Sequence, residues 1–193
     1  MVRDYIWSEQ CQERTALCDR KKQDCETKAF KRLARRLKSM FKRLPIMLLL
    51  DGLYANGPVI EICRNNRWDY MIVLKDKSLT TVWEEYNVLQ GMEPQNHFQM
   101  KWGNRKQIFK WVNNIEYEDD RKKTHLVHVV VCKETWKEVD KKSNEIVPKK
   151  SKHAWISNKP LNKRNIHERC NLAARHRWNI ESEILIQKHH GYQ

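Results

Sequence analysis

Apolar positions along this chain change their spacing twice. Phe30, Leu33, Leu37 and Met40 fall three or four residues apart, which predicts a helix from about Asp24 to Phe41 with one apolar side. Lys28, Lys31, Arg32, Arg35, Arg36 and Lys38 take the other side, as a solvated or a DNA-facing surface. Asp24 is placed to cap this helix, and Glu26 suits its positive end. Arg43-Leu44-Pro45 ends it, because proline disfavours helix in the residue before it. Ile46 to Leu50 then run without a polar residue, as expected of a central strand buried on both faces, and Asp51-Gly52 follows at its C-terminal end. Asn56-Gly57-Pro58 opens a second helix, with Val59, Ile60, Ile62 and Cys63 on its apolar side and Asn65-Asn66 at its end. Tyr70 to Leu74 form a second buried strand, and Thr81-Val82-Trp83-Glu84 reads as the capping box of a short helix. Strand, helix, strand, helix defines an α/β layer.

After Gly91 the period becomes two. Phe109, Trp111, Asn113, Ile115 and Tyr117 alternate with Lys110, Val112 and Asn114. His125 to Lys133 is rich in valine, and Ala154-Trp155-Ile156 makes a further short strand. Charged links, Glu118 to Lys123 and Glu138 to Lys152, separate these runs, so the region reads as antiparallel β structure. Helical spacing returns beyond Asn162 and continues to His190, with Gly191 as its cap behind Lys188, His189 and His190. Asp4-Tyr5-Ile6-Trp7 resembles the end of a strand.

Charge narrows the class of partner. The 193 residues carry a formal net charge of +14, and such an excess of Lys and Arg points to a polyanion, most often nucleic acid. The run from Pro45 to Leu50 is too short to span a bilayer, and Met1-Val2-Arg3-Asp4 has no apolar core behind it, so a cytoplasmic protein without a membrane role is expected. Cys11, Cys18, Cys25, Cys63, Cys132 and Cys170 form no C-x-x-C pair and read as reduced thiols.

Two acidic residues far apart in the chain carry the candidate chemistry. Asp51 sits at a strand end, where open α/β sheets place their ligand sites; the alternative is an aspartate that opens a turn before Gly52. Arg177, Glu181 and Lys188 fall within roughly 40° of one another on a helix of about 100° per residue, so a carboxylate and two cations line one stripe. The carboxylate can hold a divalent metal while the cations grip phosphates; the alternative is an Arg177–Glu181 surface ion pair. Trp111, Trp136 and Trp155 can stack on an unstacked base or pack the β region. His125 and His128 are expected to face outward or to pair within a strand.

Arg177-x3-Glu181-x6-Lys188 resembles the Y-x2-R-x3-E-x6-K signature of insertion-sequence transposases of the DDE type, with Ala174 where the signature has tyrosine. Leu48-Leu49-Leu50-Asp51-Gly52-Leu53-Tyr54-Ala55 is similar to the strand that holds the second aspartate of that triad. Gln23-Asp24-Cys25-Glu26 with Lys28 to Leu33 looks like the helix before it, so the resemblance covers nearly the whole chain from about Gln23. It implies an α/β fold with an incomplete ribonuclease-H-like catalytic core and an antiparallel β insertion. The corresponding segments are residues 1–93 for the partial core, 94–160 for the insertion and 161–193 for the helix with the third acid. It also implies Mg2+ or Mn2+ held by Asp51 and Glu181, DNA contacts from Arg177 and Lys188, cleavage at element ends and strand transfer to target DNA, a homodimer in the full-length family, and association with the nucleoid when DNA-bound. The first aspartate of the triad has no counterpart, because only Asp4 and Asp19 precede the first helix. An internal fragment of this kind is expected to fold marginally and to be inactive alone. Two other readings stay open: a non-catalytic basic nucleic-acid-binding protein, and a metal-dependent nuclease of another fold that would draw on Glu61, Asp69 and Asp76.

Overall fold

The structure, a computed structural model, describes residues 22–139 and 145–177, and the side chains of these from residue 26 onward. The chain divides into two compact units after Leu44. In the first, α1 spans Lys22–Met40. Asp24, expected as its cap, therefore lies inside the helix. Phe30 and Ala34 are buried, and Lys28, Lys31, Arg32 and Arg35 are exposed, as the amphipathic spacing requires. Met40, expected on the apolar side, is exposed at the helix end.

The second unit is mixed α/β. It runs β1 (Met47–Leu50), a 3-10 turn (Gly52–Tyr54), α2 (Gly57–Asn66), β2 (Asp69–Val73), α3 (Thr80–Met92), β3 (His97–Trp102), β4 (Arg105–Glu118), β5 (Thr124–Val139) and β6 (Ile146–Ser157). The six strands form one mixed sheet in the order β1-β2-β6-β5-β4-β3. Only β1 and β2 run parallel. The expected boundary at residues 93/94 falls inside this sheet, because β6 pairs antiparallel with β2, Ile72 standing opposite Ile156. Among the described residues, no helix is long and apolar enough to cross a membrane.

Local chemistry explains most of these elements. The Asn56 side chain accepts a hydrogen bond from the Val59 N–H (3.1 Å), and Pro58 stands in the first turn, so α2 starts where its capping residues predict. Arg67 ends α2 in the left-handed region. α3 begins without the expected capping box: Leu79 takes the cap position with φ 49° and no side-chain hydrogen bond. β2 is buried as expected. β1 is not the central strand its composition suggests. It lies at the end of the sheet among the described residues, and Met47 is exposed with Leu48 to Leu50 half-buried. A four-residue apolar run does not distinguish a central strand from the last one.

β4 shows why strict alternation in sequence misleads. Phe109, Trp111, Asn113, Ile115 and Tyr117 read as one face. A bulge between Val112 and Ile115 adds a residue to β4, so Ile115 pairs with Val127 and shares the face of Val112. Phe109 and Trp111 face the opposite side. Asn114, in the bulge, has φ 62° and donates its N–H to His128 Nδ1 (3.2 Å). His125 and His128, expected to face outward or pair within a strand, are both buried.

One face of the sheet carries a core cluster: Met71, Phe109, Trp111, Val130, Cys132 and Trp155 pack against Leu161, Ile166, Cys170 and Ala174. Trp111 and Trp155 thus serve as core, and Cys63, Cys132 and Cys170 are buried free thiols. Residues 161–177 cross this face as a turn, a π-helical stretch (His167–Ala173) and a 3-10 turn (Ala174–His176), so the helical spacing beyond Asn162 is realised in broken, non-α form. The remainder of that expected helix, including Gly191, lies outside the described residues.

The tip of the β4–β5 hairpin docks on the start of α2. The Asp119 carboxylate, 2% exposed, accepts from the backbone N–H groups of Arg121 (2.9 Å) and Lys123 (3.0 Å) and lies 3.2 Å from His125 Nε2. Burial works against its charge, but these donors and the Arg121 guanidinium hold its pKa far below the usual range. Arg121 and Lys123 then reach Glu61 on α2, at 3.1 and 2.7 Å. Gly57 permits this approach, because a Cβ there would fall inside the Asp119 side chain. Gly57→Ala is expected to destabilise the fold by about 1–3 kcal/mol through overpacking, seen as a lower urea midpoint with an unchanged slope.

Candidate functional site

Asp51 leaves β1 with extended backbone (φ −73°, ψ 164°) and begins the 3-10 turn, its carbonyl accepting from the Tyr54 N–H at 2.9 Å. Its carboxylate does not serve as the side-chain cap of that turn. Two cations approach it. Lys75 Nζ lies 3.3 Å from Oδ2, and Arg177 Nη2 lies 3.9 Å from Oδ1. Lys75 crosses directly over Gly52, where a Cβ would stand 2.8 Å from its Cγ. Burial of Asp51 opposes ionisation. The Gly52 N–H, the Lys75 ammonium and the Arg177 guanidinium outweigh it, and the carboxyl sits below its ordinary range.

Three sets of contacts bring Arg177 to this place. Asn113, beside the bulge, grips the Leu161 backbone from both sides: its Nδ2 donates to the carbonyl (3.0 Å) and its Oδ1 accepts from the N–H (2.8 Å). Arg169, buried within the π-helical stretch, donates to Ser157 Oγ (3.0 Å), to the Tyr70 carbonyl (3.4 Å) and to Asn158 Oδ1 (3.4 Å). Arg175 donates through Nη2 to Glu134, whose side chain is fully enclosed. Glu134 also accepts from Gln107, from Arg105 (3.0 Å) and from Ser151 (3.2 Å). Asn171 joins the same group through Gln107 and the Arg175 Nε. Burial raises the Glu134 pKa, yet Gln107, Arg175, Arg105 and His153 together bring it below the ordinary value of 4.5. His153 is displaced the other way from a charged partner: burial and Arg175 lower its pKa despite the nearby Glu134.

Of the four residues expected to act, the structure brings Asp51 and Arg177 together. Glu181 and Lys188 lie outside the described residues. The acids that a different nuclease would need are engaged elsewhere: Glu61 by Arg121 and Lys123, Asp69 by Lys159 (2.6 Å), and Asp76 by Lys152 (2.6 Å). Among the described residues no group of three or more His, Cys, Asp or Glu side chains could hold a metal. Asp51 by itself is a fitting donor for a hard divalent ion, being a charged carboxylate 39% exposed at a rigid strand end. Trp136 lies under the Arg105 guanidinium at 4.0 Å. Sequence reasoning did not find Lys75, Glu134 or Arg175. Lys75 follows the second buried strand as Asp51 follows the first, and that parallel placement was the available signal. Glu134 and Arg175 gave none, since each reads as an ordinary surface charge.

The chain matches no protein-family model and no curated protein sequence.

The Glu134 group makes two measurable demands. Arg175→Met leaves an enclosed carboxylate without its nearest cation and is expected to cost about 3–5 kcal/mol in urea unfolding. The folded-state pKa of Glu134 is depressed, so its contribution is complete above the ordinary Glu value of 4.5 and is lost as pH falls through the lower folded value. Stability profiles of the parent and Glu134→Gln should therefore converge on acidification below that value.

Proposed function

We propose that this chain contributes to the catalytic domain of a DDE-type DNA transposase, with a ribonuclease-H-like core that cleaves DNA strands and transfers them to target DNA. One observation carries the reading: the aspartate that ends β1 and the arginine of the R-x3-E-x6-K pattern, 126 positions apart in sequence (177 − 51), meet at 3.9 Å. Nothing in the local chemistry of either residue demands this. A parallel β1–β2 pair with Asp51 at its C-terminal end is also what such a core requires.

In this reading Asp51 and Glu181 would hold Mg2+ or Mn2+. Held there, the ion would supply Lewis-acid activation of an attacking hydroxyl or water and stabilisation of the leaving oxygen. The chain's own residues bind and orient the DNA. Arg177 offers a planar fork of donors to a phosphate beside the Asp51 carboxylate, and Lys188 would hold a second phosphate further along the same helical stripe. The low pKa of Asp51 keeps it charged throughout the neutral range, as a metal ligand must be.

The Lys75–Asp51 contact favours a second reading, a basic nucleic-acid-binding protein without chemistry, because an ammonium group already neutralises the carboxylate. Calorimetric titration with Mn2+ separates the two. The transposase reading expects a site that disappears in Asp51→Ala and in Glu181→Ala and that weakens on acidification through the Asp51 pKa. Because Lys75 competes for the carboxylate, Lys75→Ala should tighten that site several-fold, in line with the roughly 0.2–1 kcal/mol of an exposed ion pair. A titration with no such site, or one indifferent to both acids, would leave the binding-protein reading in its place.

A further inference from the structure

The face of the sheet opposite the core cluster concentrates lysines in its outer half, where Asp76 pairs with one of them, Lys152. Cross-strand pairing arranges them in rows. Lys101 stands opposite Lys106, Lys106 opposite Thr135, and Thr135 opposite Lys150. In the next row Gln99, Ile108, Lys133 and Lys152 stand side by side, and in the third His97, Lys110, Val131 and Ala154. Lys137, opposite Pro148, continues the face along the β5–β6 ribbon past the end of β4. All seven lysines are exposed, and no Asp or Glu occupies a position in these rows.

Lys152 has partners at the border with α3: Asp76 at 2.6 Å and the Trp83 ring, whose centroid lies 4.7 Å away. Among the described residues no carboxylate pairs with Lys101, Lys106, Lys110, Lys133, Lys137 or Lys150. Like charges directly opposite one another destabilise a sheet. Two such pairs stand on this surface: Lys133 with Lys152, which Asp76 relieves, and Lys101 with Lys106, which no carboxylate relieves among the described residues. A fold that keeps the second needs no acid nearby if a polyanion supplies the counter-charge.

The spacing suits a phosphate backbone. Val131 and Ala154 of the third row are buried, so the open plate is the two outer rows. With neighbouring strands about 4.8 Å apart and alternate residues on a strand about 7 Å apart, it spans roughly 14 Å by 7 Å. Successive phosphates of one DNA strand rise about 3.4 Å, so about four fall across this plate. Lysine supplies point charges without the bidentate fork that reads a guanine edge, which suits contact with backbone and not with bases.

We propose that this lysine face binds the phosphate backbone of duplex DNA independently of sequence. The polyanion follows from the charge pattern; the choice of duplex DNA rests on the transposase reading. The test uses the full chain, a labelled short duplex of random sequence, fluorescence anisotropy over a range of KCl concentrations, and no divalent metal. The variant combines Lys101→Gln, Lys106→Gln, Lys133→Gln and Lys150→Gln, with circular dichroism to check that the fold is kept. Each lost phosphate contact should remove about 0.9 from the slope of log K against log salt, so the slope should fall by about 2–4 and low-salt affinity by tenfold or more. A slope equal to the parent's would overturn the proposal. So would an equal loss in a variant carrying Lys28→Gln, Lys31→Gln, Arg32→Gln and Arg35→Gln, since net charge alone would then account for binding. Preference for phosphatidylserine vesicles over duplex would overturn the choice of occupant. Leaving out metal keeps this outcome separate from the Mn2+ titration: either can fail while the other succeeds.

Discussion

Glu134 is enclosed on all sides, ionised, and surrounded by Arg105, Arg175, Gln107 and Ser151. A carboxylate in that position is costly unless its partners stay in place. Arg175 is the partner that comes from furthest along the chain, and it belongs to a stretch with no strand to pair with. Its backbone is π-helical and then 3-10, so regular hydrogen bonding does little to set its register. The enclosed charge supplies that register instead. Trp102 and Trp155 flank the Arg175 guanidinium, with ring centroids at 5.1 and 6.0 Å, and add packing to the electrostatic constraint. Two residues later, the chain delivers Arg177 to Asp51.

The sheet separates two tasks between its faces. The face with Phe109, Trp111, Val130 and Trp155 is apolar and carries residues 161–174. On the opposite face Ile72, Ile156, Val129 and Val112 form one buried row, flanked by the buried Ile115 and Val127 on one side and Val131 and Ala154 on the other. Further out it turns to lysine. The β4 bulge is the device that lets one strand serve both arrangements: it keeps Trp111 in the core, turns Ile115 to the other side, and leaves Asn113 to hold Leu161.

Around Asp51 the balance is finer. Lys75 and Arg177 lower its pKa from opposite oxygens; the Lys75 contact is exposed, while the Arg177 side chain is largely buried. An exposed ion pair such as that with Lys75 is weak, so the carboxylate can exchange this cationic side chain for another cation at little cost. That is the electrostatic condition a metal-binding aspartate has to meet, and a buried, fully satisfied pair such as Glu134 with Arg175 would not meet it.

The spacing of apolar residues was enough to locate α1, α2, β2 and the inner parts of β4, β5 and β6, because amphipathic period and capping chemistry are local properties. The stretch read as a charged link, Glu138 to Lys152, instead includes the end of β5 and the first half of β6. It also marked Asp51 as a strand-end acid, and the family pattern marked Arg177. Local information could not rank β1 within the sheet, since an apolar run looks the same at the middle and at the end. Nor could it see the bulge in β4, which needs the partner strand to define it, or the irregular course of residues 161–177, which follows from contacts with β2, β4, β5 and β6. Only the tertiary structure turned Glu134 and Arg175 from two ordinary charges into one enclosed pair. Burial is a property of the assembled fold, and it is burial that made their attraction strong enough to set the course of the chain as far as Arg177.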